Sequence, residues 1–358
     1  MVTATADRVE RGEASAVRLW LFSMAALVLL MVAVGGATRL TGSGLSITEW
    51  QPILGIIPPL TDADWHDAFE KYRQIPEYRL VNKGMSLAEF KAIYWWEWAH
   101  RFLGRLIGLA FALPLAVFWL TGALPRRLGL PLLGLLGLGA VQGFIGWYMV
   151  QSGLADRVDV SQYRLALHLS LAVLIFGLLL WLALGLGPEP KPPLRPLTAA
   201  QKVFAVGLVA LLFMQVVLGA FVAGLKAGLT YNTWPLMDGG LVPAGVLALE
   251  PWYLNLFENV ATVQFNHRVA AYVVVLAALW QAIALSRARA DARLRASAWM
   301  LLAAVVAQAA LGVWTLLSVV ALPLGIAHQA GAVAVFGLAV WHLYQATGSR
   351  FSRVPASA

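Results

Sequence analysis

The chain has 358 residues, of which 60% are apolar and only 12% are charged. This composition excludes a disordered chain and a soluble enzyme, and it indicates an integral membrane protein. The net charge of +8 comes without a basic and aromatic surface pattern, so we relate it to membrane orientation and exclude nucleic acid as a partner. The absence of cysteine excludes disulfides, thiolate-bound metals and iron–sulfur clusters.

Eight apolar segments follow one another along the chain, and each is long enough to cross a bilayer core of about 30 Å. They lie near residues 19–38, 95–120, 128–150, 164–187, 202–223, 262–285, 297–319 and 324–346. The first is too long for a signal peptide and has no convincing cleavage site, so we expect a retained helix. The sequence therefore predicts an all-α integral membrane protein with eight transmembrane helices.

An even number of membrane crossings places both termini on the same side of the membrane. The short connections on that side, together with the two tails, carry more than half of the Lys and Arg residues. Since such residues concentrate in cytoplasmic loops, we expect a multi-pass protein of the bacterial inner membrane with both termini in the cytoplasm.

The two halves of the chain repeat each other. The 14-residue segments that begin at His168 and His328 share the pattern His, then Phe-Gly-Leu, then Trp. Weaker matches join Glu97-Trp-Ala-His-Arg101 to Gln264-Phe-Asn-His-Arg268, and Gln142-x-x-x-Gly146 to Gln308-x-x-x-Gly312. We therefore predict two pseudo-symmetric four-helix bundles, an N-terminal half over residues 1–187 and a C-terminal half over 201–358. A Pro-rich cytoplasmic linker, 188–200, joins them.

Four histidines lie about two turns, or roughly 10 Å, inside the segments that cross from the outer side. They are His100, His168, His267 and His328. Two imidazoles that face each other across a bundle are typical of a haem iron with two axial histidines. Zinc or copper would need further ligands, and no Cys or acidic cluster supplies them. We therefore predict one haem-sized site in each half, and structural roles for His66 and His342.

Arginines accompany these histidines. Arg101 and Arg268 directly follow ligands, and Arg39 and Arg164 lie near the same outer surface. Because Arg pairs with carboxylates, we expect Arg101 and Arg268 to bind haem propionates, although snorkelling to lipid headgroups is the alternative. For Arg105, one turn deeper in the helix, binding of a propionate and snorkelling to headgroups are equally favoured.

The halves differ at one chemically decisive position. Glu97 precedes His100 by three residues, on the same helix face, and the equivalent position before His267 holds Gln264. A carboxyl group can accept a proton and an amide cannot. The difference predicts proton-linked chemistry in the first half and a permanent redox cofactor in the second. The alternative is that Glu97 forms a structural bridge with an arginine.

Together these motifs resemble the haem A synthase family, over nearly the whole chain. The resemblance rests on Gly35–Leu45 (GGATRLTGSGL), Glu97–Arg101 (EWAHR) with Gly104-Arg105, Asn232–Met237 (NTWPLM) and the four membrane histidines. It is greatest to the branch of alphaproteobacteria and mitochondria. Another branch carries a cysteine pair in an outer loop, which this chain lacks.

The resemblance implies oxidation of a ring methyl of haem O to a formyl group, which gives haem A, with water as the oxygen source. It implies haem B as a resident cofactor on His267 and His328, with Arg268 beside it. It also implies that His100 and His168 hold the substrate haem near Glu97, and that Arg39, Arg101, Arg105 and Arg164 are candidates for substrate binding.

Two other functions remain open from the residues alone: a di-haem electron-transfer cytochrome, and a haem carrier without chemistry. Such cytochromes commonly stack their haems in opposite leaflets, with two histidines on each ligating helix, whereas here each helix carries one. We expect the lipid bilayer and haem O as partners, and we consider a haem O synthase, an electron acceptor and a homo-oligomer.

Overall fold

A computed structural model describes residues 2–155, 157–187 and 197–347, with side chains from residue 14 onwards. Within these ranges the regular structure is helical, with one isolated β-bridge between Met237 and Gly240 and no strand. The prediction of an all-α protein is confirmed. The helices are α1 (Val2–Leu40), α2 (Asp62–Arg73), α3 (Pro76–Leu80), α4 (Leu87–Leu120), α5 (Gly129–Leu154), α6 (Gln162–Gly185), α7 (Ala199–Gly224), α8 (Asn255–Glu258), α9 (Val260–Arg287), α10 (Ala292–Leu317) and α11 (Leu322–Thr347).

Eight of the helices in the described part of the chain are long and apolar enough to cross a membrane, as predicted. They are α1, α4, α5 and α6 in the first half, and α7, α9, α10 and α11 in the second. The helix that carries the second predicted segment, 95–120, begins earlier, at Leu87. Ser86 and Glu89 form a reciprocal capping box there, which starts the helix two turns before the apolar run.

The membrane helices pack as two sets of four. In the first set α1 contacts α4, α4 contacts α5, α5 contacts α6, and α6 closes the ring on α1. The helices α7, α9, α10 and α11 close the same ring in the same order, and the two rings meet along α1, α6, α7 and α11. This arrangement is consistent with two four-helix bundles. Residues 188–196 of the predicted linker lie outside the described residues.

The repeated Phe-Gly-Leu triplets meet where α6 crosses α11. A Cβ atom on Gly177 would lie 2.9 Å from Cε1 of Phe336, and one on Gly337 would lie 3.0 Å from Cε1 of Phe176. Each glycine thus receives the ring of the other half's phenylalanine, and both rings are buried. Small residues at such crossings let helices approach closely in a membrane.

A side chain at this crossing is expected to separate the two halves. Gly177→Val should lower the free energy of unfolding by about 1–3 kcal/mol, because the added side chain must displace the buried Phe336 ring. Gly134→Val is the matched control, since a Cβ on Gly134 of α5 would meet nothing within 4 Å. Thermal unfolding in detergent measures both variants, and equal stability of the two would contradict this account of the crossing.

The first outer loop folds over the bundle mouth through α2 and α3, with an aromatic core that includes Tyr72 and Phe90. Glu77 is buried in this loop, where the Tyr72 hydroxyl donates to its carboxylate at 3.2 Å. Asn82 in turn donates to the Tyr72 oxygen at 2.7 Å. Burial raises the pKa of the Glu77 carboxyl to about 7, since water no longer solvates the charge.

This raised pKa makes the loop sensitive to pH. The folded loop holds a proton on Glu77 that the unfolded chain releases near pH 4.5, so stability is full below that value and declines as pH rises towards about 7. The loss amounts to at most about 3 kcal/mol. Hydrogen exchange of residues 62–80 should therefore quicken over this window, and Glu77→Gln should remove the dependence. An unchanged pH profile in the variant would show that another group is responsible.

Candidate haem site

Each of the four membrane histidines packs its ring against a glycine of the preceding membrane helix. The pairs are His100 with Gly35, His168 with Gly146, His267 with Gly219 and His328 with Gly312. A Cβ atom on these glycines would lie only 2.7–3.1 Å from the ring Cε1 atom. Any larger residue would therefore displace the imidazole. All four rings are partly buried and sit on α4, α6, α9 and α11, the helices that we expected to carry them.

Three of the four rings also contact a glutamine one turn before that glycine. The amide nitrogens of Gln142, Gln215 and Gln308 lie 3.2, 3.1 and 3.0 Å from Nδ1 of their respective histidines. Each amide also donates to the backbone carbonyl of the same histidine, at 2.9, 3.0 and 2.7 Å. The glutamine thus holds both the ring and the backbone of its histidine, and in His168 the same amide nitrogen also lies 3.4 Å from Nε2.

The two histidine rings of the second half are spaced far enough apart to admit an iron between them. The ring centroids of His267 and His328 are 6.5 Å apart and the ring planes are perpendicular. Two metal–nitrogen bonds of about 2 Å, plus roughly 1 Å from each nitrogen to its ring centre, need about 6 Å between centroids. The pair therefore fits an iron between the rings.

The donor set favours haem over a metal held by protein alone. Throughout the described ranges, no three or more His, Asp or Glu side chains gather in a way that could hold a metal ion. Two imidazoles cannot complete the four-coordinate shell of zinc, whereas a porphyrin supplies the equatorial nitrogens that iron needs.

Glu97 is buried, with 2% of its surface exposed, and it accepts four hydrogen bonds. One oxygen accepts from the Ser46 hydroxyl and the Ile47 amide, both at 2.7 Å. The other accepts from Nη2 and Nε of Arg101, at 2.6 and 3.1 Å. Arg101 also donates to the carbonyls of Ile47 and Glu49 at 2.7 and 3.0 Å. The bridge with an arginine that was the alternative for Glu97 is therefore present, and the pair ties the first outer loop to α4.

The second half repeats this arrangement with an amide. Arg268 donates to Oε1 of Gln264 at 2.9 Å and to the carbonyls of Tyr231 and Thr233 at 2.6 and 2.8 Å. Gln264 donates in turn to the carbonyl of Ala227 at 2.7 Å. The carboxylate of one half accepts from a backbone amide, and the amide of the other half donates to a backbone carbonyl. The loops are therefore part of the repeat.

The other arginines that were candidates for substrate binding donate to backbone carbonyls. Arg105 donates to the carbonyls of Gln51 and Pro52, at 2.8 and 2.9 Å, in the same loop that Arg101 holds. Arg39 donates to the carbonyl of Ala223, across the contact between the halves. Arg164 donates to the carbonyl of Tyr148 at 2.6 Å and covers its ring. Contact of any predicted arginine with a haem propionate stays a prediction.

A cavity of about 360 Å³ opens at the outer face beside this loop. Ser46, Ile47 and Arg101, the residues that contact Glu97, line it together with Arg105. Lys71, which forms ion pairs with Glu49 and Asp67 at 2.9 and 2.8 Å, also lines it. Glu97 is thus separated from a polar outer cavity by a single layer of side chains and backbone.

The two other histidines differ from the four. His66 is exposed on α2. His342, near the inner end of α11, is 1% exposed, and its ring contacts Ser297 and Gln281 at 2.8 and 3.2 Å. Polar partners on α9 and α10 keep this ring inside the second bundle.

Sequence reasoning missed Gly35, Gln215 and Gly219 as parts of the site. The signal was present, because Gln215-x-x-x-Gly219 repeats the spacing of Gln142-x-x-x-Gly146 and Gln308-x-x-x-Gly312. Only the contacts show that each glycine receives an imidazole and that each glutamine meets an Nδ1 atom.

Residues 18–340 match the family described as cytochrome oxidase assembly protein. The haem A synthase of Parvibaculum lavamentivorans is 54% identical over 341 residues, which cover 95% of this chain and 97% of that protein. This chain belongs to the haem A synthase family. The haem A synthase of Chelativorans sp. is likewise 54% identical, over 96% of this chain and 94% of that protein. That of Agrobacterium fabrum is 50% identical, over 96% and 93%. These relatives span the whole repeat, and all four membrane histidines lie within the residues that match the family.

Proposed function

We propose that the chain is a haem A synthase, an oxidoreductase that converts a ring methyl of haem O into a formyl group with water as the oxygen source. The observation that carries the proposal is the difference between two otherwise matched sites. Glu97 stands beside His100 in one half, and Gln264 stands beside His267 in the other. The relatives named above as haem A synthases support the same assignment.

In this proposal His267 and His328 hold haem B, whose iron takes up and passes on single electrons when it is bound. His100 and His168 hold the iron of haem O, the substrate. The spacing of the second pair, 6.5 Å between centroids, supports a site with two axial ligands. Arg268 and Arg101 occupy equivalent places, where their donors hold the outer loops and lie near the expected propionate edge.

The overall reaction adds one water to the methyl group and releases four electrons and four protons, so that –CH₃ and H₂O become –CHO. We assign Glu97 to receive protons, because it is the carboxylate next to His100 on the same helix face. The Ser46 hydroxyl contacts Glu97 and lines the outer cavity, so it offers a path for these protons to the outer side, while Arg101 holds the carboxylate in place. The four electrons require an oxidant in the membrane, and haem B held by His267 and His328 would supply the redox chemistry that connects the two.

Substrate access from the lipid has structural support in the first half. There α4 packs less closely against α5 than its counterpart α9 packs against α10. An apolar cavity of about 440 Å³ lies beside α5, lined by Trp50, Phe144 and Trp147. Haem O carries an isoprenoid tail, which would remain in the bilayer. We also propose that the chain lies in the bacterial inner membrane with both termini in the cytoplasm, which follows from the basic connections.

Replacement of the carboxylate by its amide tests the role of Glu97. Glu97→Gln should keep haem B and lower haem A formation by at least about 100-fold, since the amide takes up no proton. Haem analysis of the purified variant and its turnover with haem O are the measurements. The double variant Glu97→Gln/Gln264→Glu is the matched control, and it should remain inactive because its carboxyl stands in the wrong half. Normal turnover of Glu97→Gln would remove this residue from the mechanism.

Removal of one ligand tests the assignment of the second site. His267→Ala should lose haem B, because a single imidazole retains haem far less strongly than two. Absorbance of the purified protein and mass spectrometry of its pigment detect the loss. His66→Ala serves as the control, since His66 is exposed on α2. Unchanged haem absorbance in His267→Ala would contradict the assignment.

A further inference from the structure

His100 differs from the other three membrane histidines in its hydrogen bonding. Gln142, Gln215 and Gln308 each contact the Nδ1 atom of one of those histidines. The Nδ1 atom of His100 is buried and has no hydrogen-bond partner. A buried nitrogen without a hydrogen bond lowers the stability of the fold. Of the four membrane histidines, only His100 has such an Nδ1 atom, so a physical cause is expected.

The reason lies in residue 31. Each glutamine stands four residues before the glycine that receives the ring, and the residue four before Gly35 is Met31. Met31 faces the correct helix, because a Cβ atom on Gly104, one turn after His100, would lie 3.6 Å from its Cε atom. A thioether is at most a weak acceptor and donates nothing, so Met31 cannot replace the amide.

The glutamines suit histidines that bind iron. An imidazole that binds iron through Nε2 keeps its proton on Nδ1, and this N–H needs an acceptor. The amide oxygens of Gln142 and Gln215 are buried without a partner, and a half-turn of the amide, which gives up its bond to the histidine carbonyl, brings this acceptor to Nδ1. Partners of this kind orient the ring and strengthen its bond to the metal.

We propose that Met31 makes His100 the weakly held iron ligand of the first site, which can release and recapture the substrate haem, while Gln215 fixes the equivalent ligand of the second. The inference rests on the proposed function, which places a substrate in the first half and a resident cofactor in the second. A substrate site must exchange its haem at every turnover, and a cofactor site must not. Met31 is a positioning residue in this account, since it acts through His100.

The exchange of the two residues provides the test. Full-length Met31→Gln loaded with haem O should transfer that haem to an excess of apomyoglobin about 10–100-fold more slowly than the unaltered protein. Gln215→Met should release haem B faster by a similar factor. Met31→Leu adds no hydrogen-bonding group, so release should stay fast and an effect of packing alone is separated. Electron paramagnetic resonance of each loaded protein reports whether the iron keeps both axial ligands.

The outcomes distinguish this inference from the function on which it rests. Slower release in Met31→Gln together with faster release in Gln215→Met supports it. If the first site binds haem O and both variants release haem at the unaltered rates, the inference is overturned and the proposed function stands. If the unaltered protein never binds haem O in its first half, both are overturned.

Discussion

The space that four glycines leave for four imidazole rings is the constraint on which this structure depends. A Cβ at Gly35, Gly146, Gly219 or Gly312 would come within 2.7–3.1 Å of a ring, so helix spacing and ring position are fixed together. The contact recurs in both halves, between each histidine and the preceding membrane helix, and it sets the 6.5 Å separation of His267 and His328. That separation is what two axial bonds to one iron require, and the loops above the bundles repeat the same symmetry.

The two halves of the repeat differ at residues that bear on the proposed function. Glu97 stands where the repeat has Gln264, and Met31 stands where it has Gln215. Both departures surround His100, and the packing of α4 against α5 is also the looser of the two equivalent contacts. In the proposed function, the repeat supplies two sites for the same chemical group. The carboxylate, the missing hydrogen bond and the looser packing of α4 on α5 would then distinguish the site of a molecule that reacts and leaves.

Much of the fold and of the candidate site can be predicted from the sequence, because a membrane helix must be long and apolar and an ionisable residue inside it is rare. The eight crossings, the four histidines and the exchange of Glu97 for Gln264 follow from that. The start of α4 at Leu87 does not, since a capping box in polar sequence begins it. Nor does the buried position of His342, whose partners lie on two other helices. The loop contacts of Arg101 and the missing hydrogen bond at Nδ1 of His100 depend on tertiary packing, which the spacing of residues in the sequence does not predict.

The central claim is that the chain offers two haem sites of different purpose. The most direct measurement is the identity and amount of haem, by mass spectrometry and absorbance, in protein purified from cells with and without a supply of haem O. The account predicts one haem B per chain in both preparations, and haem O or haem A in addition only where haem O is supplied. Two haem B per chain in both preparations, or a variable haem B content that follows the supply, would contradict it.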